Sequence, residues 1–184
     1  MALALETERM VLRPFTVEDV ELLVDLDADP EVMRHLTGGA ATPRTTIVDE
    51  VLPRFRSWDD RDPFGYAAAF ERRTESFVGW FALDPADRSR PAHVELGYRL
   101  RRAAWGHGYA TEAACTLVDR AFDHPAVQRV WAQTMAVNRR SRRVMERAGL
   151  RYARTFHQQW FEAIAGAEAG EVEYQLTRAE WASR

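Results

Sequence analysis

The sequence predicts a mixed α/β domain, and three observations carry that prediction. Helical patterns come early, a strand hairpin and a further strand occupy the middle, and two strand–helix units finish the chain, an order foreign to a uniformly parallel sheet. The 184 residues, 46% of them hydrophobic, supply enough apolar surface for one core, so one domain spanning 1–184 is expected. A strand, a glycine turn and a helix meet between His93 and Phe122, with Trp105-Gly106-His107-Gly108-Tyr109-Ala110-Thr111 at the junction.

Residues 10–15 read as a short strand. Thr16 follows as an N-cap with Asp19 three residues on, close to a capping box, and opens a helix whose apolar positions Val17, Val20, Leu22, Leu23, Val24 and Leu26 cover a wide face. Asp29-Pro30 closes it, because the residue before proline disfavours the helical region, and Pro30 opens a second turn to Leu36. After a loop over 37–43, the spacing of Ile47, Val48, Val51, Leu52 and Phe55 predicts a helix over 44–58, kinked at Pro53. Residues 64–70 and 77–83, rich in aromatic and small apolar side chains and separated by charge, read as an antiparallel hairpin buried on both faces.

A loop over 85–91 leads to a strand over 93–100, with Glu95, Gly97 and Arg99 on one face and Val94, Leu96, Tyr98 and Leu100 on the other. A helix over 109–123 follows the glycine turn, then a strand over 127–137. Asn138 opens a helix to Ala148 that Gly149 ends. Residues 151–160 and 172–177 are the last strands, and 163–170, with Gly166 and Gly170, reads as a mobile loop near a substrate.

Composition narrows the function. A net charge of −3 and a pI near 6.0 give no electrostatic reason to expect nucleic acid. Cys115 is the only cysteine and the five histidines are scattered, so neither a disulfide framework nor a metal site is expected, and the cytosol is the default compartment. No stretch approaches the roughly 18 apolar residues of a membrane span, and no leader pattern opens the chain. All 25 basic residues are arginine. Composition drift accounts for that; a chain handling activated acyl groups would also gain by lacking ε-amines to modify.

The glycine turn is an anion-binding corner, because Gly106 and Gly108 let the backbone turn and approach a ligand while the following helix offers unpaired N–H groups. It is not a Walker A loop, since no Gly-Lys-Ser/Thr follows, nor a dinucleotide fingerprint, since Thr111 stands where a third glycine or alanine belongs. Asn138, the single asparagine, is a good N-cap, and its amide also suits a ligand with amides of its own.

Glu95-Leu96-Gly97-Tyr98, the Trp105-to-Ala113 segment and Asn138-x-x-Ser141 ending at Gly149-Leu150 resemble the GNAT acyltransferase superfamily, in its RimJ/RimL-like branch. The opening Leu12-Arg13-Pro14-Phe15 and the closing Val172-to-Thr177 segment look like that branch too. The resemblance implies a mostly antiparallel sheet, helices on both faces, splayed between the strands ending at Leu100 and Val137, with acetyl-CoA or another short acyl-CoA in the gap. Backbone groups around Tyr98 and Leu100 would pair with the pantetheine amides, the amides of Trp105, Gly106, His107, Gly108, Tyr109 and Ala110 would hold the pyrophosphate, and Thr111 would add its hydroxyl. Asn138 and Ser141 would complete the cofactor site. Ala103 departs from the Gln or Arg usual at the start of this turn, with Arg101 and Arg102 nearby; Arg142 or Arg143 could reach the phosphates or simply face solvent.

Acetyl transfer to an amine needs a neutral nitrogen and a proton for the departing thiolate. The resemblance offers Glu95 as catalytic base, against the alternative of a solvent-facing strand residue, and Ser141 to hydrogen-bond the sulfur, against a helix serine bonding backbone one turn earlier. The tyrosine that many members carry seven residues after the asparagine is here Met145. Cys115 reads as a packed side chain and His107 as solvated. His157, Trp160, Tyr174, Trp58 and Phe64 are candidates to shape an acceptor pocket; a strongly acidic pocket would favour a polycationic acceptor, and the acidic segments 25–31 and 49–62 keep that option open beside a protein N-terminus. The expected partner is an amine, on a protein N-terminus or a small molecule, with a homodimer an option from the branch; the rival is a CoA-sensing or partner-binding module that has lost catalysis.

Overall fold

The structure, a computed structural model, describes residues 3–58, 63–158 and 164–184. Eight strands form one sheet: β1 (Leu5–Glu6), β2 (Met10–Pro14), β3 (Gly65–Glu71), β4 (Phe77–Pro85), β5 (His93–Leu100), β6 (Arg129–Met135), β7 (Arg151–Phe156) and β8 (Glu171–Thr177). Their order is β1-β2-β3-β4-β5-β6-β8-β7, and every pairing is antiparallel except β5 with β6. The mixed, mostly antiparallel sheet expected from the sequence is present. β3 and β4 are buried along almost their whole length, as their apolar runs predict.

Between β5 and β6 the ladder holds only three pairs, His93 with Arg129, Val94 with Val130 and Glu95 with Trp131. Beyond Glu95 the two strands carry no mutual register, although β5 runs on to Leu100 and β6 to Met135. The sheet is therefore splayed between its central strands, leaving backbone groups on the inner edges of both arms.

Helices cover both faces. On one, α1 (Val20–Ala28), α2 (Pro30–Met33), α3 (Arg44–Thr46) and α4 (Leu52–Arg56) lie over the β2–β4 end, where Phe55 of α4 stacks on Tyr66 at 4.1 Å and meets Trp80 edge-on at 5.3 Å. On the other, α5 (Tyr109–Asp123) packs against β4 and β5 with Ala113, Ala114, Leu117, Val118, Ala121 and Phe122 buried, and α6 (Arg139–Arg147) follows β6. A short α7 (Arg178–Ala182), which the sequence pattern did not disclose, closes the chain with a Thr177–Glu180 capping box.

Several boundaries differ from the sequence expectation for physical reasons. Thr16 and Asp19 do form a capping box, but the first turn is a 3-10 turn (Val17–Asp19), with Asp19 held by the Arg13 guanidinium at 2.7 and 2.8 Å. Pro53 falls inside an unbroken helical run from Arg44 to Arg56. It has no N–H to give the carbonyl four residues back, and the turn before it opens into a π segment (Ile47–Val51), where the Leu52 N–H reaches the Ile47 carbonyl. Strand β6 is shorter at each end than expected, and β7 ends at Phe156. The expected strand's end at Trp160 and the start of the 163–170 loop lie outside the described residues. The rest of that loop carries a 3-10 turn (Ala167–Ala169) and is tied to the end of β6, since the Ala136 N–H donates to the Gly170 carbonyl at 2.8 Å.

Candidate active site

The splay opens a cleft of about 950 Å3 that passes from the α5–α6 side of the sheet to the α2 side. At its α5 end, Gly106 and Gly108 sit at φ 78 and 84, the left-handed region that favours glycine, and swing the chain into α5. Glu112 donates the first helical hydrogen bond, to the Gly108 carbonyl at 3.0 Å. Among the described residues, no protein acceptor meets the main-chain N–H groups of Gly106, His107, Gly108, Tyr109, Ala110 or Thr111. Six consecutive free donors at the positive end of a 15-residue helix fit a diphosphate.

The turn is locked from behind by a network that local sequence reading missed. Glu112 accepts from the Thr7 hydroxyl, from the Arg9 N–H at 2.8 Å and from the Arg9 guanidinium at 2.6 Å, and the same guanidinium donates to the His107 carbonyl at 2.8 Å while lying over the Tyr109 ring. Hydrogen bonding with Arg9 and Thr7 outweighs burial and holds the Glu112 carboxyl below its usual range. Thr7 and Arg9 lie some hundred residues from Glu112 in the chain, so no short motif reveals the link.

Tyr98, Leu100, Trp105, Gly106, Gly108, Tyr109, Ala110, Thr111, Asn138 and Ser141 all line the cleft, and so does Glu95. Arg101 and His107 do not: Arg101 turns to β4, with its N–H on the Val78 carbonyl at 3.0 Å, and the His107 ring lies against Tyr109. Asn138 acts as the cap, its Oδ1 accepting the Ser141 N–H at 3.3 Å and its Nδ2 donating to Thr134 at 3.0 Å. Arg142 points away, to the Tyr174 hydroxyl and the Ala136 carbonyl, whereas Arg139, Arg140, Arg143 and Arg147 line the cleft. Arg140 lies over the Trp105 ring at 5.0 Å, so α6 lays a cationic edge beside the free amides.

Ser141 meets Tyr98 across the gap. The Tyr98 hydroxyl donates to the Ser141 carbonyl at 3.1 Å and lies 2.9 Å from Ser141 Oγ, and burial pushes the phenol up, so it stays a proton carrier. Met145, where a tyrosine is usual, is buried beneath. Cys115 is packed, its thiol pushed up chiefly by burial, and offers no nucleophile.

Glu95 is on the opposite face of β5 from Tyr98. Burial pushes its carboxyl up to about 7, Asp84 and Glu173 push the same way, and Arg54 opposes them. That places a proton acceptor in the neutral range at the junction where the two central strands part.

Around Glu95 the other side of the cleft is lined by Glu31, Val32, Arg34, His35 and Leu36 of the α2 region, Trp80 of β4, Gln133 of β6, Gln158 and Glu171. The acidic segments expected to face an acceptor contribute little. Asp27 is spent on Arg99 and Thr42, Asp49 and Glu50 do not line the cleft, and 59–62 lie outside the described residues. Glu31 of those segments lines the cleft, and the other carboxylates, Glu95 and Glu171, come from the sheet. The aromatics proposed for the acceptor pocket do not line it either: Trp58 lies under Arg88 at 3.7 Å, Tyr174 packs on α6, Phe64 is core, His157 turns to the Glu168 carbonyl, and Trp160 is outside the described residues.

Residues 9–151 match the family model described as the acetyltransferase (GNAT) domain. A curated relative from Aspergillus fumigatus, FsC-acetyl coenzyme A-N(2)-transacetylase, is 33% identical over 192 residues, covering 96% of this chain and 77% of the relative. Among solved structures, an acetyltransferase (GNAT family) from Bacillus anthracis shares the fold at TM-score 0.77 and 20% identity, over 96% of this chain and 99% of that one. Spermidine N-acetyltransferase from Vibrio cholerae, in complex with CoA and spermine, shares it at TM-score 0.75 and 13% identity, over 95% and 98%.

Proposed function

Since the chain belongs to the GNAT acetyltransferase family, we propose that it moves the acetyl group of acetyl-CoA to a primary amine entering over the Glu95 face of the sheet, by direct attack in a ternary complex. One observation carries the reading: a ladder only three pairs long between β5 and β6, with free amides at one mouth of the resulting cleft and a near-neutral carboxyl at the other. Assignment to the RimJ/RimL-like branch belongs to the same proposal and rests on Leu12-Arg13-Pro14-Phe15 and the Asn138-x-x-Ser141 helix start. So does a cytosolic setting, which the lone free cysteine fits; among the described residues no helix is long and apolar enough to cross a membrane.

The residues divide the work by position. The amides of residues 106–111, with Arg140 and Arg143, hold the diphosphate, and the unpaired edge of β5 toward Leu100 receives the pantetheine amides as an added strand would. That distant binding energy orients the thioester, leaving modest factors for the chemical groups. Glu95, ionised, takes a proton from the incoming ammonium. As the new N–C bond forms and the C–S bond breaks, the nitrogen gives up its second proton to solvent, and the departing sulfur takes one through the Ser141–Tyr98 hydroxyl pair, which is refilled from solvent, so that it leaves as the thiol. Among small amines and protein N-termini, the sheet carboxylates favour a small cationic amine.

Thiol release from acetyl-CoA with a panel of amines tests the proposal. Transfer to at least one small cationic amine is the expected result; tight binding of acetyl-CoA with no transfer to any acceptor overturns it in favour of a sensing module. Ser141→Ala is expected to lower kcat by about tenfold and Tyr98→Phe by a few-fold, small against the about 100-fold or more typical of a principal acid–base group. Unchanged kcat in both variants removes the relay.

A further inference from the structure

Among the described residues, one fully buried carboxyl oxygen lining the cleft meets no donor. Glu171 is only 5% exposed, its Oε1 meets no hydrogen-bond donor, and it lines the acceptor half of the cleft. Other buried or half-buried carboxyls nearby are satisfied: on the sheet Glu173 by Arg129 at 3.3 Å and Arg154 at 2.8 Å and Asp84 by the Tyr66 hydroxyl at 2.6 Å, and on α1 Asp27 by Arg99. A buried carboxyl oxygen without a donor is costly to keep, and a cation or N–H donor arriving in the cleft removes that cost.

The register fixes where this group stands. Glu95 lies opposite Trp131 on one side of β6, and Glu171 lies opposite Met135 on the other. Trp131 and Met135 are an even number of residues apart, so both carboxyls rise from the same face of the sheet. Four residues of β-strand separate their levels by roughly 13 Å and the two strand spacings across β6 add about 10 Å sideways, so the two residues stand roughly 16 Å apart at the backbone, a span their side chains shorten. A ligand whose reacting nitrogen sits at Glu95 can therefore reach Glu171 only with a second group well removed from the first.

We propose that Glu171 forms a second cation subsite, which holds a non-reacting ammonium of an acceptor carrying two amines on the order of 10–15 Å apart. The inference rests on the amine-acetyltransferase reading above and adds a specificity to it: an elongated di- or polyamine is preferred over a monoamine. Glu171 takes no part in the bond changes. Its contribution is one charge-assisted hydrogen bond, which corresponds to about tenfold or more in affinity.

The test compares diaminooctane with octylamine on the full chain and on Glu171→Gln, by steady-state kinetics and by calorimetric titration of each amine without acetyl-CoA. The wild-type protein is expected to prefer diaminooctane in kcat/KM, and the substitution to cut that preference about tenfold, mainly through KM, with a matching loss in diaminooctane affinity. An unchanged preference, or equal loss on both amines, overturns the subsite, as does absence of diaminooctane binding to the wild-type chain. Calorimetry keeps the two proposals apart. Selective binding of diaminooctane that depends on Glu171, with no transfer to any amine, leaves the subsite standing and sinks the enzymatic reading.

Discussion

Glu95→Gln is expected to lower kcat by about 100-fold or more and, at the same time, to make the protein more stable at pH 8. Both effects have one source. Burial holds the Glu95 carboxyl near 7 against an ordinary 4.5, with Asp84 and Glu173 adding to the rise. In the unfolded chain the group ionises near 4.5, so between the two values the native state binds the extra proton. The stability due to this group is whole below about pH 4.5, declines as pH rises and is lost once pH passes about 7. Ionised Glu95 then costs the fold up to about 3 kcal/mol, which the neutral amide avoids. Urea unfolding should show the variant and wild type alike at about pH 4, below the ordinary carboxyl value, and the variant ahead at pH 8. The pH profile supplies the catalytic half of the test: on an acceptor whose amine titrates well away from 7, kcat/KM of the wild type climbs through an acidic limb near 7, and the variant lacks it. Equal stability differences at both pH values would remove the burial argument, and a surviving limb would give the proton to another group.

What was legible in the sequence was whatever rests on local geometry. The alternation in 93–100 placed Glu95 and Tyr98 on opposite faces of one strand, and Gly-x-Gly before an apolar helix marked the corner where the amides are free. The acceptor side was not legible in the same way. Runs of Asp and Glu in 25–31 and 49–62 drew attention because they are dense, yet density is what a solvated helix face produces; Asp49 and Glu50 are exposed and Asp27 serves Arg99. The carboxylates that count stand singly among apolar neighbours, as in Glu171-Val172-Glu173-Tyr174, where the Glu residues share one face of a buried strand. That pattern was a usable signal. Its meaning, however, depends on β8 inserting between β6 and β7, a pairing decided by contacts across the whole chain. The Arg9–Glu112 lock and the Tyr98–Ser141 contact were hidden for the same reason, since each joins segments that only the closed sheet brings together.

Gly108→Val is expected to weaken acetyl-CoA binding by about 100-fold, the loss of a few hydrogen bonds to a charged group. Gly108 holds φ at 84, where a β-branched residue is strained by about 1–3 kcal/mol, and a Cβ built there meets the Arg9 guanidinium at 3.3 Å. The residue can relieve itself only by rotating its backbone or pushing Arg9 aside. Either movement re-aims the N–H groups of Tyr109, Ala110 and Thr111 and disturbs the contact of Arg9 with the His107 carbonyl. Gly106 provides the control. It holds φ at 78 with nothing within 4 Å of an added Cβ, so Gly106→Ala meets the conformational cost alone, about 1 kcal/mol. Calorimetric titration with CoA should therefore rank wild type, Gly106→Ala and Gly108→Val in falling affinity, with the larger drop at 108, while far-ultraviolet circular dichroism shows α5 intact. Thermal unfolding distinguishes a bent turn from a broken fold, because α5 is anchored by its buried Leu117, Val118 and Phe122, well below the turn. A Gly108→Val protein that is folded and binds CoA as the wild type does would mean that the main chain of the turn does not grip the diphosphate, and the cleft would have to hold its ligand through the α6 arginines instead.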